Sequence, residues 1–406
     1  MVNLALHGTK ESCMKKFLKT RFLRLIALAA VGIFATSGVA PAQTHYVLTN
    51  DDLAFPFLTG VGFFTVGTNG LPVFQQQVHT GTFGIGGGYF GMNRLAVLDG
   101  GTQQCVFASE ALNAFIVGVD VSTLTVGGIT SGSDTDAGTT NGIGMVMNGN
   151  YLYASFSDSN TIGTFAVEPG CSLTFIGDTS VTGLHGGVIN GMAIHGTMLI
   201  TSYTDGSIES FTISGGTPMS NGDEQLSMAT VTSQDATYAN AIDITKDGHY
   251  AIFGDTSTAL SVEVSDISSG KLARTTVYKS TASISSSNIL LSPDETILYV
   301  VNTQGATVSA LFFDKNTGKL SAGCTSGPLA GLSQNWSYLA GVVLMSQTGN
   351  GGGVYVAEFG TVSGIATVPL SFSGQKCSLQ EPKGSPTADP NTPGLLSIDS
   401  FPPRSF

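Results

Sequence analysis

Charge is scarce in this chain: only 11% of its 406 residues are Asp, Glu, Lys or Arg. Acidic residues outnumber basic ones by 28 to 16, for a formal charge of −12. Such a balance repels nucleic acid and anionic lipid, so nucleic-acid binding is excluded. Trp occurs once, at Trp336, and no two cysteines stand at CxxC spacing, which removes the familiar zinc patterns. G-x-S-x-G, H-E-x-x-H and P-loop sequences are missing, and with them the usual serine-hydrolase, zinc-protease and nucleotide-binding signatures. Gly86 to Gly91 spells G-x-G-x-x-G, but neither a helix nor a βαβ unit follows, so it reads as a glycine-rich approach to a strand. Helical periodicity is almost wholly lacking. Glycine is plentiful instead, with 53 residues, roughly twice average usage.

The N-terminus has the layout of a secretory signal. Lys15, Lys16, Lys19, Arg21 and Arg24 precede an apolar run from Leu25 to Val39, and Ala40-Pro41-Ala42 supplies small residues for cleavage. The apolar run is shorter than the roughly 20 residues a membrane span needs, so no membrane insertion is expected after cleavage. Met14 is read as the start. Residues 1–42 are therefore set apart as upstream residues and signal peptide, and 43–406 as a single domain, secreted or periplasmic. Removing 1–42 leaves 10 basic and 27 acidic residues, a charge of −17, with Arg94, Arg274 and Arg404 as the remaining arginines.

Ser292 to Gly323 reads as apolar run, turn, apolar run, turn, short run, the mark of hairpin-linked strands. Copies recur at about fifty residues, a propeller or solenoid period. Seven places carry a strand ending in small or polar residues, a turn and a second strand. They begin at Tyr46, Arg94 (RLAVLDGG), Tyr151, Met198, His249, Ile297 and Gly353. Six are preceded by a segment suited to an innermost strand: 81–91, 142–147, 191–194, 241–244, 289–292 and 341–346. The first copy lacks one, while an orphan apolar run, GLLSID (394–399), lies beyond the seventh. The expected architecture is all-β, a seven-bladed β-propeller of four-stranded antiparallel blades, with this C-terminal run completing blade one and leaving no open edge. The Pro/Gly-rich GQKCSLQEPKGSPTADPNTP before it is expected to be a surface connection.

Four cysteines follow the signal segment, an even number that favours two disulfides in an oxidising compartment. The expected pairing joins neighbours, Cys105 with Cys171 and Cys324 with Cys377.

The Ser292–Gly323 repeat resembles the YVTN-type repeat (WD40/YVTN-like) of lactonase-like seven-bladed propellers, including the 6-phosphogluconolactonase family. The likeness rests on Ser292-Pro293-Asp294 ahead of Ile297 to Asn302, and on Asp314 with Thr317-Gly318-Lys319-Leu320. Lys246 to Tyr250 and Ser269 to Leu272 repeat it in the preceding blade. The resemblance implies a propeller and a lactone hydrolase. A phosphorylated lactone needs cations at its phosphate, normally arginine forks, and this sequence departs from that requirement. No catalytic residue is therefore carried over from the family.

In a propeller, the loops entering the inner strands and the turns leaving the second strands share one face around the central channel. Asn190, Asn240 and Asn288 each stand before an inner strand, and Asp51, Asp99, Asp158, Asp205, Asp255, Asn302 and Glu358 stand near the ends of second strands. Such a rim suits a polyhydroxylated ligand or a cation, since amides donate and accept and carboxylates accept. Asn and Asp also end strands simply by closing turns. Trp336, ahead of blade seven's inner strand, is a candidate to stack on a sugar or to cover the blade core. His185, in GLHGGVING, is a candidate general base with Asp205 as its carboxylate. Two functions follow: a non-catalytic scaffold for a carbohydrate, peptide or protein, or a hydrolase of a non-phosphorylated lactone. A monomer without cofactor is expected, calcium being the one metal the acidic rim suggests.

Overall fold

Each copy of the repeat folds as a meander of antiparallel strands joined by tight turns in a computed structural model of the chain. The structure describes residues 45–403 except 52–58, 82–92, 111–113, 132–142, 158, 226–240, 256–260, 280–285, 303–304, 331–337, 345–351, 360–363, 375 and 389–396. The chain divides into two compact units, Met1–Thr44, which lies outside the described residues, and His45–Phe406.

The described residues form seven blades. Blade one holds β1 (Tyr46–Asp51), β2 (Gly60–Val66) and β3 (Pro72–His79); blade two holds β4 (Leu95–Asp99), β5 (Gln104–Glu110), β6 (Phe115–Asp120) and β7 (Thr125–Ser131). Blade three is β8 (Ile143–Asn148), β9 (Tyr151–Phe156), β10 (Thr161–Glu168) and β11 (Ser172–Ser180). Blade four is β12 (Ile189–His195), β13 (Met198–Tyr203), β14 (Ser207–Ser214) and β15 (Thr217–Gln225). Blade five is β16 (Ala241–Ile244), β17 (Tyr250–Asp255), β18 (Ser261–Asp266) and β19 (Ala273–Lys279). Blade six is β20 (Ser286–Leu291), β21 (Ile297–Asn302), β22 (Thr307–Asp314) and β23 (Lys319–Thr325). Blade seven is β24 (Tyr338–Leu344), β25 (Gly353–Phe359), β26 (Gly364–Ser373), β27 (Lys376–Leu379) and β28 (Thr387–Ala388). The last strand, β29 (Ser397–Phe401), pairs with β1 and completes blade one in the order β29-β1-β2-β3. The expected closure holds, with the strand reaching Phe401 rather than ending at Asp399.

The middle strands are apolar on both faces because each blade is sandwiched between two others. Side chains of a strand alternate sides. On β5, Val106 and Ala108 pack with Leu48 and Phe63 of blade one, whereas Cys105 and Phe107 pack with Ala154 and Phe165 of blade three. The core is thus a set of inter-blade layers. Outer strands such as β7 are largely exposed.

Blade two departs from the sequence expectation. The sequence pattern predicts RLAVLDGG as a second strand, but Leu95–Asp99 is the inner one, pairing with β5 alone among the described strands and lying between β29 and β8. The second strand is QCVFASE, a run whose Cys, Ser and Glu concealed its repeat position. Most of the 81–91 segment lies outside the described residues. Blade seven also differs. The expected surface connection contains β27 and β28, which pair with the two ends of the ten-residue β26. From here Thr387 Oγ1 donates to Pro72 O at 3.2 Å, and Tyr355 Oη donates to Gly70 O at 2.6 Å. Both bonds latch blade seven onto the β2–β3 turn.

The disulfides pair as expected. Cys105–Cys171 ties β5 to the turn before β11 (Cα–Cα 5.6 Å), and Cys324–Cys377 ties β23 to β27 (Cα–Cα 5.7 Å). At the first seam the backbones nearly touch: a Cβ on Gly118 would lie 1.8 Å from Cys171 O, and one on Gly127 would lie 1.8 Å from Gly170 O. These two glycines let blades two and three close. Each bridge spans more than fifty residues (66 and 53), so it restricts the unfolded chain strongly. Replacing Cys105 and Cys171 together by Ala should lower unfolding free energy by about 3 kcal/mol, read as a reduced urea midpoint with a slope that rises as the unfolded chain loses its restriction. An unchanged midpoint would show the seam is held by packing alone.

Candidate functional site

Inner strands begin, and second strands end, on one face of the ring, and that face is polar even where it is buried. Asn50, Asp51, Glu110, Asn190, Asn302 and Glu358 are all fully buried there. Several of these groups bind the scaffold itself. Asn50 Nδ2 donates across the blade seam to Ser109 O at 3.0 Å and Arg94 O at 3.3 Å. Asp51 Oδ2 accepts from Gln77 Nε2 at 2.8 Å. Asn302 Nδ2 donates to Thr307 Oγ1 and Ser309 Oγ at 3.1 and 3.0 Å.

His185 and Asp205 come together, though through the main chain. The His185 and Gly187 N–H groups donate to Asp205 Oδ2 at 2.8 and 3.0 Å. Ser207 donates to Oδ1 from its N–H at 2.9 Å and its hydroxyl at 2.6 Å. Burial alone would push the Asp205 pKa up, but the bonds from Ser207, His185 and Gly187 outweigh it and hold the carboxyl below its usual range. A Cβ on Gly187 would sit 2.5 Å from this carboxyl carbon, and one on Gly183 2.5 Å from Oδ2. The glycines of GLHGGVING thus make room for a carboxylate that shapes the loop, and the His185 side chain is exposed beside it.

Asn190 sits where the β12–β13 register shifts, as a bulge residue. Asn288 is 8% exposed, and its Nδ2 has no hydrogen-bond partner among the described residues. Glu358 is fully buried between blades six and seven, on the same side of β25 as Val354 and Val356. Neither of its oxygens has a hydrogen-bond partner among the described residues. Burial, with the nearby Glu381 carboxylate second, pushes its pKa up to about 9. Asn240, Asp158 and Trp336 lie outside the described residues, and so does the side chain of Asp255. Asp99 is on the opposite face, because β4 is an inner strand and Asp99 ends it. Glu110 takes the second-strand position there instead.

The described arginines are both held within the fold. Arg94 is fully buried. Arg274, on the outer strand of blade five, pairs with buried Glu263 on β18 at 2.8 Å and with Glu224 on the outer strand of blade four at 3.5 Å. No group of three or more His, Cys, Asp or Glu among the described residues is arranged to hold a metal ion.

Down the axis runs a cavity of 340 Å³, lined by inner strands of blades one to six. Its wall is mainly Met, Ile, Leu, Val and Ala, with Asn93, Asn288, Asp243 and Asp399 as polar members. The two aspartates went unremarked in the sequence, although AIDI (241–244) and SIDS (397–400) share an Ile-Asp pair that marks them.

None of the curated proteins matches the chain. Among solved structures, a Lactobacillus plantarum protein aligns with 88% of this chain and 100% of its own at 13% identity and a TM-score of 0.60. A Pseudomonas aeruginosa periplasmic gluconolactonase aligns with 71% of this chain and 84% of its own at 14% identity, TM-score 0.52. A candidate 6-phosphogluconolactonase from Bacteroides fragilis aligns with 68% of this chain and 79% of its own at 15% identity, TM-score 0.53. At such identities the likeness is one of fold. The family model described as lactonase, 7-bladed beta-propeller matches residues 145–381, more than half of the sequence, and the chain therefore belongs to the lactonase family of seven-bladed β-propellers.

Proposed function

We propose that this member of the family is an exported, monomeric binding propeller that engages a neutral, hydroxyl-rich ligand on its polar face and does not turn it over. The observation that carries this reading is the commitment of Asp205. The carboxylate placed to assist His185 is occupied by the His185 and Gly187 N–H groups and by Ser207, which suits holding a loop better than orienting an imidazole. The arginine positions support a neutral ligand, since Arg94 is buried and Arg274 is paired with Glu263 and Glu224 away from the channel face, neither being offered to a phosphate. Carbohydrate is the first class to test, with peptide and protein as the other outcomes. Export is supported by the two disulfides and by the signal-like segment ending at Ala42.

A second reading, a hydrolase of non-phosphorylated lactones, draws on the family and on the exposed His185. One experiment separates them. Incubated with a panel of neutral lactones and followed by proton release, the protein should show no turnover above the uncatalysed rate, while a glycan array should return bound sugars. Turnover abolished by His185→Ala would replace the binding reading with the hydrolytic one. A melting shift on adding calcium would assign the acidic rim a metal.

A further inference from the structure

Two inner strands carry an aspartate at their third residue, Asp243 on β16 and Asp399 on β29. Both begin alike. Asp243 Oδ1 accepts the N–H of Ile244 at 2.8 Å, and Asp399 Oδ1 accepts the N–H of Ser400 at 2.7 Å. There the likeness ends. Asp243 Oδ2 also accepts the N–H of Leu291 on the neighbouring inner strand at 2.7 Å, which stitches β16 to β20. Asp399 has no such second bond among the described residues. Its carboxyl stays half-buried on the cavity wall, where burial pushes its pKa up to about 7 against the pull of the Ser400 N–H.

A carboxylate set among apolar side chains with one donor is incompletely compensated, and a cationic donor supplies what it lacks. The surroundings fit the rest of such a molecule. Met145, Met147, Met192 and Ile242 line the same 340 Å³ cavity, a volume at the lower end of small-ligand pockets. Flexible thioethers adapt to an alkyl chain. Among the described residues neither Lys nor Arg lines the cavity, and the Asn288 amide there retains an unused donor.

We propose that the channel binds a slender aliphatic ligand bearing a protonated primary amine, with Asp399 as counter-ion, the methionine and isoleucine wall around the alkyl chain, and Asn288 as the second polar contact. This site lies within the channel, centres on Asp399, and shares Asn288 alone with the polar face of the carbohydrate reading. The ionisable acids and bases on elements packed around Asp399 are Asp51 on β1, Arg94 ahead of β4, Asp99 at its far end and Glu358 on β25, with Asp243 also on the cavity wall. The phenols of Tyr46 and Tyr355 stand on β1 and β25. An alkylamine stays protonated from pH 6 to 8, so the ionisation of Asp399 governs binding across that range.

The test is calorimetric titration of the full chain with n-hexylamine, 1-hexanol and hexanoate at pH 6 and pH 8. Hexylamine should bind best, with affinity about tenfold higher at pH 8 than at pH 6 as the ionised fraction of Asp399 rises. Asp399→Asn should lose both the amine preference and its pH dependence while still taking hexanol. Hexylamine binding that is undetectable at pH 8, or equal in the variant, overturns the proposal. If Asp399→Asn does not fold, the unmodified protein decides: hexanoate bound as tightly as hexylamine, or affinity that ignores pH, overturns it equally. Lactone turnover and glycan binding can succeed or fail without altering either outcome.

Discussion

Deleting residues 394–406 should leave a chain that is largely unfolded at 37 °C or melts at least 15 °C below the full protein. The reason lies in what β29 touches. It forms five residue pairs with β1, from Tyr46↔Phe401 to Asn50↔Ser397. Its side chains then serve two seams at once: Phe401 packs with Leu48, Phe63, Leu95 and Val97 toward blade two, and Ile398 with Val47, Tyr355 and Ala357 toward blade seven. Re-exposing one Phe and one Ile costs roughly 1.5–3 kcal/mol each. The partner surfaces they cover and the lost ladder bonds raise the total to about 5–10 kcal/mol, a large part of a typical domain's entire stability. The bonds of Tyr355 and Thr387 to the β2–β3 turn sit at a larger radius and cannot refill either seam. The deletion also bares the edge of β1 to other chains, so concentration-dependent aggregation should accompany the loss. Circular dichroism melts of the two proteins decide the matter. Superimposable curves would mean that closure is carried by the outer latch.

Closure was legible because the first copy lacks an inner strand while GLLSID stands unused beyond the seventh, and the blades were legible because a propeller buries both faces of its middle strands, which then read as apolar runs. Ile297 to Val301 is such a run. Blade two was misread for the same reason inverted: RLAVLDGG looks like a middle strand, yet Leu95–Asp99 is apolar because it lines both an inter-blade layer and the cavity. QCVFASE carries polar residues at Ser109 and Glu110, buried against seams that composition does not reveal. The candidate site was less legible than the ring. Strand ends put Asn190, Asp205, Asn288 and Glu358 at neighbouring positions, but no spacing rule tells whether an aspartate closes a loop, as Asp205 does, or remains half-satisfied, as Asp399 does. For Asp205 that distinction depends on loop N–H groups about 20 positions away in the same blade. Between Asp243 and Asp399 it depends on a single N–H from a neighbouring blade, a contact between residues 48 positions apart in the case of Asp243 and Leu291. Pairwise geometry of this kind leaves no trace in composition or period.

Glu358→Gln should make the protein progressively more stable than the unaltered chain as pH rises, by about 5 kcal/mol between pH 5 and pH 9. The side chain is wholly buried beside Val354 and Val356, and neither oxygen finds a donor among the described residues. Desolvation therefore favours the neutral acid, reinforced by the charge of Glu381, whose own oxygens accept from Ala330 N–H and Ser385 Oγ. In the unfolded chain the group titrates near its ordinary value of 4.5, and in the fold at about 9. Between those values the native state holds a proton that the unfolded state has released, so stability falls as pH increases. The contribution is complete below 4.5 and is lost by the time the pH passes through 9. Asp399, raised to about 7, adds a parallel loss that ends two units earlier. For that reason the informative quantity is the difference between the two proteins, not either profile alone. At pH 5, where both carry a neutral group at 358, their unfolding free energies should agree within about 1 kcal/mol, the remainder reflecting the extra amide donor of Gln. Urea unfolding at pH 5, 7 and 9 reads the divergence directly. Parallel profiles would mean that Glu358 is ionised in the fold and that a donor or a cation holds it there. Repeating the pH 9 measurement with added calcium and with a chelator would tell those two partners apart: a profile restored only by calcium assigns a cation to the seam between blades six and seven, whereas indifference to both leaves a protein donor.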